Sequence, residues 1–234
     1  MKDERSPLYP QRVLQPDHEE GRLGRSRSSA RMLIDSLRRR PGPRRVLAGL
    51  SILLMLGGVA LFSYPFVTNL YADWQQSKLE AQFDDPGIRD AYVTRTIAPG
   101  DALTRIRIPR LGVDAIVVEG TSPSALRAGA GHYLETALPC ERGNTAIAGH
   151  RTTYSKPFAN LQRLRKGDRI VVLTPVGRCT YRVTEKPWIT APDDFSVLKE
   201  ARRSSVLTLT TCNPPGSAAE RLIVRAKLVS SAAV

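Results

Sequence analysis

Hydrophobic positions divide this chain into two unlike regions. Residues 46–67, VLAGLSILLMLGGVALFSYPFV, form a run of 22 residues without a charged side chain. A helix of that length spans about 33 Å, which is enough to cross the hydrocarbon core of a bilayer. From Asp101 onward the apolar residues come in short runs separated by glycine and proline, as is typical of antiparallel β structure. The pattern therefore predicts one transmembrane helix followed by an all-β domain.

Within the second region, the short apolar runs predict seven β-strands. They cover residues 104–108, 115–118, 145–148, 169–174, 179–184, 206–210 and 222–226. Short helices are predicted at residues 122–127 and 157–164, and a stalk helix at residues 72–83. About 130 residues of this kind suit a single closed barrel better than two domains.

The charge distribution predicts how the chain is oriented. The net charge is +13, and residues 1–45 hold twelve basic and six acidic side chains, so this tail carries nearly half of the excess. Five arginines between residues 38 and 45 precede the apolar run, which indicates a cytoplasmic N-terminus and an extracellular β domain. A retained anchor is favoured over a cleaved signal peptide, because the run is long and no small-residue cleavage site follows it. A nucleic-acid partner is not predicted, since the barrel would lie outside the cell.

Four segments follow from these patterns: a disordered basic tail at residues 1–45, a transmembrane anchor at 46–67, an extracellular stalk or linker at 68–99, and a β-barrel at 100–230. The expected location is the cell membrane, crossed once.

Three cysteines differ in their sequence surroundings. Cys140 and Cys179 could form a disulfide, or each could be buried as a small apolar residue, and both readings stay open. Cys212 ends a threonine-rich strand and precedes Asn-Pro-Pro-Gly, which cannot continue a regular strand. A thiol at that position would lie at the rim of the barrel, where a substrate can reach it.

Two further residues complete a candidate acyl-transfer site. His150 ends an Ala-Ile-Ala run after a glycine, and Arg221 opens the last apolar run. An imidazole beside a thiol can exchange protons with it, and a guanidinium can favour the thiolate or an oxyanion. No metal or other cofactor is predicted, since the sequence has neither a close cluster of metal-ligand residues with zinc spacing nor a glycine-rich phosphate loop.

These motifs together resemble the sortases, membrane-anchored cysteine transpeptidases of Gram-positive bacteria. The Thr-Leu-Thr-Thr-Cys segment ending at Cys212 is similar to the family's TLxTC signature, Ala-Gly-His ending at His150 is similar to its histidine segment, and Arg221 stands where its arginine does. The Gly-His-Arg-Thr-Thr-Tyr segment at residues 149–154 and the short spacing from cysteine to arginine most resemble the class E, housekeeping-type enzymes of actinobacteria.

The resemblance implies a closed barrel of about eight strands with short helices, whose eighth strand lies near residues 131–135 or around residues 188–189. It assigns catalysis to Cys212, His150 and Arg221, and substrate binding to Thr210, Thr211 and Tyr154.

The implied reaction cleaves an LAxTG or LPxTG sorting motif between threonine and glycine through a thioester. The implied partners are surface proteins that carry a C-terminal sorting signal, a lipid-linked peptidoglycan precursor that supplies an amine, and the membrane. Two other functions stay open from the sequence: a membrane-anchored extracellular cysteine protease, and a non-catalytic tethered β module.

Overall fold

The structure, a computed structural model, describes residues 32, 35, 41–199, 201 and 203–233. The predicted basic tail lies almost wholly outside these residues. The chain divides into two compact units, with the boundary between Leu61 and Phe62.

A single long helix, α1, covers Pro41–Phe83. Its Arg44–Phe83 portion contains a window with a mean hydropathy of 2.3, and within the described ranges it is the one helix long and apolar enough to cross a membrane. The predicted anchor lies inside this helix, and the predicted stalk helix is its continuation. Residues 68–83 contain neither proline nor glycine, so nothing in them breaks the helix after the apolar run. Residues 84–99, predicted as linker, contain a second short helix, α2, at Ile88–Thr94.

Among the described residues, nine strands, one more short α-helix and three short 3-10 helices form the rest of the domain. Helix α3 covers Pro123–Ala128. The strands are β1 (Ala102–Ile108), β2 (Val113–Glu119), β3 (Ala130–His132), β4 (Gly143–Ala148), β5 (Arg169–Thr174), β6 (Gly177–Val183), β7 (Trp188–Thr190), β8 (Ser205–Asn213) and β9 (Glu220–Ala233).

Eight of these strands close into a barrel. Their order is β6-β5-β1-β2-β3-β4-β8-β9, and pairing between β9 and β6 completes the ring. The β2–β3 and β4–β8 pairs are parallel, and the others are antiparallel. The prediction of a closed eight-stranded barrel is confirmed. Both positions suggested for the eighth strand are strands: β3 belongs to the ring, whereas β7 pairs only with β9, at the edge of the barrel.

Two hydrophobic cores stabilise the domain. The larger fills the barrel with side chains such as Ile106, Ile147, Tyr181, Leu207 and Leu209, all fully buried. Alternation along each strand sends every second side chain into this core and the others outward.

The smaller core lies outside the barrel, against β1 and β2. Leu79 of α1 packs there with Ile116 and Ala125, among other residues. Gln76 of α1 extends the contact with hydrogen bonds, since its side chain accepts from the Ile116 N–H and donates to the Ala128 carbonyl, both at 2.8 Å. The C-terminal part of α1 is therefore an integral part of the barrel domain.

Cys140 and Cys179 form a disulfide, with their Cα atoms 5.6 Å apart. The sequence had left this pairing open. Cys179 lies in β6, and Cys140 lies in the loop before β4, where its backbone N–H donates a 2.8 Å hydrogen bond to the Tyr181 hydroxyl. The bridge therefore ties a long surface loop to the wall of the barrel.

Removing this disulfide with a Cys140→Ala/Cys179→Ala double variant should lower the free energy of unfolding by about 4 kcal/mol in the chain-entropy model, because the bridge closes a loop with a sequence separation of 39 residues. Chemical denaturation of the full chain in detergent would measure the change. The alkylation rate of Cys212 should stay unchanged, since the bridge involves only the other two cysteines. A free energy of unfolding equal to that of the wild type would contradict the prediction.

Candidate active site

Parallel pairing of β4 with β8 brings His150 beside Cys212. In the register of this pair Ala148 lies opposite Thr210. His150 follows Ala148 by two residues and Cys212 follows Thr210 by two, and hydrogen bonds of Gly149 with Thr210 and Thr211 keep the two segments side by side beyond the last strand pair. Residues far apart in sequence meet here because neighbouring strands lie only about 4.8 Å apart.

Antiparallel pairing of β8 with β9 places Arg221 on the other side of the thiol. Cys212 and Arg221 are direct partners in this register. Strand β8 lies between β4 and β9 in the barrel, so the thiol is flanked by the imidazole segment on one side and the arginine on the other. The structure thus places Arg221 directly opposite Cys212 and the segment that holds His150 beside the same end of β8.

Alternation places the side chains of Cys212 and Arg221 on the outer face of the barrel. Leu207 and Leu209 of β8 point into the core, so Thr208, Thr210 and Cys212 occupy the opposite face. Arg221 shares that face because directly opposed residues project to the same side of a sheet. Cys212, His150 and Arg221 are each half-buried, and Cys212 is the free cysteine. The thiol can therefore be reached by a substrate while the walls beside it remain ordered.

Hydrogen bonds and packing fix the backbone at His150. The Gly149 N–H donates to the Thr210 carbonyl at 3.1 Å, and the Thr211 hydroxyl donates to the Gly149 carbonyl at 2.7 Å. A Cβ atom at Gly149 would lie 2.6 Å from the ring of Phe158, which is fully buried. Glycine is therefore required before the histidine, because the Phe158 ring occupies the space of a side chain.

The loop after His150 is strained and is held by α1. Tyr154, Ser155 and Lys156 all have positive φ angles, of 51°, 57° and 41°, a region that residues other than glycine rarely adopt. Ser155 is tied to the helix twice: its N–H donates to Asn69 at 3.2 Å, and its hydroxyl donates to Asp73 at 2.9 Å. The Tyr154 ring consequently lies over the imidazole, with centroids 5.3 Å apart.

The remaining residues that the resemblance assigns to substrate binding have partners inside the protein. Thr210 and Thr211 are both buried. The Thr211 hydroxyl donates to the Gly149 carbonyl, and the Thr210 hydroxyl lies 3.4 Å from the Tyr133 hydroxyl. Of the three predicted binding residues, Tyr154 is the one with a partly exposed side chain.

Among the residues that the structure describes, the hydrogen bonds of the Arg221 side chain are local. Its guanidinium donates to the backbone carbonyls of Ala218 and Glu220, at 2.9 and 3.0 Å. Both acceptors are neutral, so the positive charge remains available to an anionic group near Cys212.

Burial lowers the pKa of His150 below its usual 6.5, and the nearby charge of Arg127 lowers it further. Both effects disfavour the imidazolium, the first because a charged ring is poorly solvated and the second because like charges repel. At neutral pH the isolated imidazole is therefore mainly neutral and able to accept a proton.

An Arg127→Gln variant should move the acid limb of the kcat/KM profile to higher pH. Removal of the arginine charge raises the pKa of His150, so the imidazole is lost to protonation at a higher pH. In the wild type this limb should lie below 6.5. Initial rates between pH 4 and 9 would measure both limbs, with an Arg178→Gln variant at an exposed site as control. A limb that moves to lower pH would contradict the prediction.

Three residues that sequence reasoning did not assign to the site are bonded around it: Arg151, Asn213 and Glu220. Each is adjacent in sequence to one of the predicted catalytic residues. The other histidine of the domain, His132, is buried in β3 and lies 3.0 Å from Glu119, outside this cluster.

Known proteins share this domain. A family model described as "Sortase domain" matches residues 106–229, more than half of the chain. The chain belongs to the sortase family. The match spans the barrel from β1 to β9 and includes the three clustered residues, so the family predicted from the motifs is confirmed.

Relatives and solved structures agree with this assignment. The chain is 32% identical to Sortase SrtE1 of Streptomyces coelicolor over 176 residues, which is 69% of this chain and 50% of that protein. It therefore spans about half the length of this relative. A Clostridium perfringens Sortase D5 transpeptidase has a TM-score of 0.60 at 30% identity, covering 68% of this chain and 99% of that one. Sortase E of Streptomyces avermitilis has a TM-score of 0.54 at 38% identity, covering 58% and 93%. The predicted similarity to class E sortases is confirmed.

Proposed function

We propose that this sortase is a cysteine transpeptidase that cleaves a C-terminal sorting motif and transfers the acyl part to an amine. The observation that supports the proposal is the strand register, which places Arg221 directly opposite Cys212 and ends the β4–β8 pairing two residues before both His150 and Cys212. A nucleophile, a proton carrier and a fixed cation are groups suited to acyl transfer through a thioester.

In the first half-reaction the Cys212 thiolate attacks the carbonyl carbon of the motif's threonine. The carbon–sulfur bond forms, the electron pair moves to the carbonyl oxygen, and the carbon–nitrogen bond to glycine then breaks. The proton that His150 took from the thiol passes to the leaving amine, so the amine departs neutral. A thioester between Cys212 and threonine remains.

The second half-reaction reverses these steps with a new amine. The amine attacks the thioester carbonyl, loses a proton to His150, and expels the Cys212 thiolate. In both halves Arg221 stabilises the oxyanion or holds the substrate backbone, for which its charge and its position opposite Cys212 are suited.

The substrates follow from the family. Surface proteins with a C-terminal LAxTG motif, or the broader LPxTG motif, would supply the acyl group, and a peptidoglycan precursor would supply the amine. Tyr154 would form one wall of the pocket that receives the motif, since its ring lies beside His150 and is partly exposed.

Anchoring to the membrane suits this reaction. Helix α1 would cross the cell membrane once, with the arginine-rich N-terminal side in the cytoplasm and the barrel outside. Membrane-held substrates and lipid-linked precursors are confined to the same surface, so tethering raises the effective concentration of all the reactants.

Intact mass spectrometry tests the proposal. The full chain in detergent is incubated with an LAxTG peptide or an LPxTG peptide, each against a scrambled peptide. The expected product is a protein mass increased by the acyl portion through threonine, which hydroxylamine removes. Added amine should convert this adduct into amide product, whereas a protease would give only hydrolysis. Folded protein that forms no adduct with either peptide would overturn the proposal.

An Arg221→Ala variant should lower kcat/KM by about 10²- to 10³-fold, the usual cost of losing one group that stabilises an oxyanion. Arg221→Lys keeps the charge but loses the planar fork, so we expect an intermediate loss. Steady-state kinetics with the preferred peptide measure both variants. Equal rates for wild type and Arg221→Ala would show that the arginine takes no part in the reaction.

A further inference from the structure

Arg151 is an unusual residue for its surroundings. Its side chain is 8% exposed, and in the described part of the chain no carboxylate forms an ion pair with it. Its Nε atom is buried without a hydrogen-bond partner among the described residues. A buried cation of this kind costs folding free energy unless it is compensated, so it requires an explanation beyond stability.

The other two guanidinium nitrogens make specific contacts at the end of β8. Nη1 donates to the backbone carbonyl of Cys212 at 3.1 Å and also to the side-chain oxygen of Asn213. Nη2 donates to the Gln162 side chain at 3.2 Å. One rigid planar group therefore fixes the backbone at the nucleophile and the turn that follows the histidine loop.

The network continues to the third strand. Asn213 donates to the Glu220 carboxylate at 2.6 Å, and these two residues are direct partners in the β8–β9 register. Arg151, Asn213 and Glu220, called the clamp below, are the immediate neighbours of His150, Cys212 and Arg221. Alternation along β8 and β9 turns Asn213 and Glu220 to the face opposite that of Cys212 and Arg221. The clamp therefore supports the strand ends from behind.

We propose that Arg151 is a positioning residue of the acyl-transfer reaction. Its hydrogen bonds hold the end of the Cys212 strand in a fixed position relative to the histidine segment. The effect on turnover rests on the proposed function, whereas the effect on the position of the Cys212 strand end, and so on the reactivity of its thiol toward a small reagent, does not. Misplacement of a reacting group by about 1 Å can lower a reaction rate on the order of 100-fold. A shift of the strand end that the clamp holds would therefore have a measurable effect on the rate.

Two substitutions of Arg151 separate the effect of its hydrogen-bond geometry from the effect of its charge. Arg151→Lys keeps a positive charge but cannot bond to three acceptors with one planar fork, and Arg151→Gln removes the charge as well. Arg182→Lys and Arg182→Gln are matched controls, because Arg182 is exposed and its guanidinium also donates to a backbone carbonyl, that of Gly167. All variants are prepared as the full chain in detergent, and thermal unfolding verifies that each is folded.

Three readouts decide the outcome. For Arg151→Lys we expect kcat to fall by roughly 10- to 100-fold while KM changes by less than about threefold. For Arg151→Gln we expect, in addition, that the rate of iodoacetamide alkylation of Cys212, compared across a pH profile, changes by more than about threefold, because the strand end that carries the thiol is no longer held in place. In a double-mutant cycle, Arg151→Gln and Asn213→Ala should be strongly non-additive, because both break one network.

Other results would overturn the proposal for Arg151. A kcat within twofold of wild type for both Arg151 variants, with an unchanged alkylation profile and only a lower unfolding temperature, would show that Arg151 is purely structural and would overturn the proposal. If Arg151→Gln does not fold, Arg151→Lys and Asn213→Ala decide the matter by the same kinetic criterion. Alkylation of Cys212 requires no peptide substrate. It therefore still tests the positioning role of Arg151 if the wild-type protein forms no acyl-enzyme adduct with either peptide.

Discussion

Replacing Cys212 with alanine should abolish the acyl-enzyme adduct and lower transpeptidation by at least about 10⁴-fold, since loss of a nucleophile removes the covalent route altogether. Cys212 is the free cysteine of the chain, and the other two form the disulfide. No second thiol can therefore replace it. Intact mass and product analysis with the preferred peptide measure the two effects.

The Cys212→Ser variant is the matched control for this prediction. It keeps a side chain of nearly the same size at the half-buried position, so the barrel and the peptide site should be preserved. A hydroxyl is much less acidic than a thiol, and we expect almost as large a loss of rate. If Cys212→Ala retained the adduct, acylation would have to occur at another group, and the proposed mechanism would be wrong.

Replacing His150 with alanine should lower kcat/KM by about 10²- to 10⁴-fold, the usual contribution of a general acid–base group. The glycine amine is a poor leaving group unless it is protonated, and among the clustered residues the imidazole is the one suited to carry that proton near neutral pH. The reaction should respond to added imidazole, because the position is half-buried and open to a small molecule.

The control for this second prediction is the alkylation rate of Cys212. If His150 acts only on the leaving group, alkylation would be unaffected by its removal, whereas a histidine that also deprotonates the thiol would slow it. We expect slower alkylation, since the segment that holds His150 lies beside the end of the Cys212 strand. A kcat/KM for His150→Ala within tenfold of wild type would rule out its assignment as proton carrier.

Sequence patterns predicted the β-barrel because seven of its strands contain an apolar run that can be recognised locally. The seven runs predicted directly each overlap a strand of the structure, as in residues 169–174, which match β5. The two shortest strands, β3 and β7, have three residues each, too few for alternation to be recognised, and only the family resemblance suggested their positions. The anchor and the stalk helix, predicted as separate segments, form the continuous helix α1, because residues 68–83 contain no proline or glycine that would end it.

The residues of the candidate site also fall into a group that the sequence predicted and a group that it did not. Cys212, His150 and Arg221 are rare reactive residues at strand ends, and their types and order were visible in the sequence. Arg151 was overlooked because an arginine in a polar loop is normally exposed, whereas this one is 8% exposed. The Cys140–Cys179 bridge could not be decided either, since pairing depends on a Cα separation that no sequence pattern encodes.

By itself the sequence determined what is written locally: the apolar anchor, the alternating strands, the chemistry of the thiol and imidazole, and the family that these motifs indicate. Only the tertiary structure decided which groups act on one another. The parallel β4–β8 pairing brought the His150 segment beside the end of β8, and Arg151, Asn213 and Glu220 are hydrogen-bonded in one network at the same strand ends. The physical reason is that register and burial arise from contacts between residues distant in sequence, which short-range patterns do not contain.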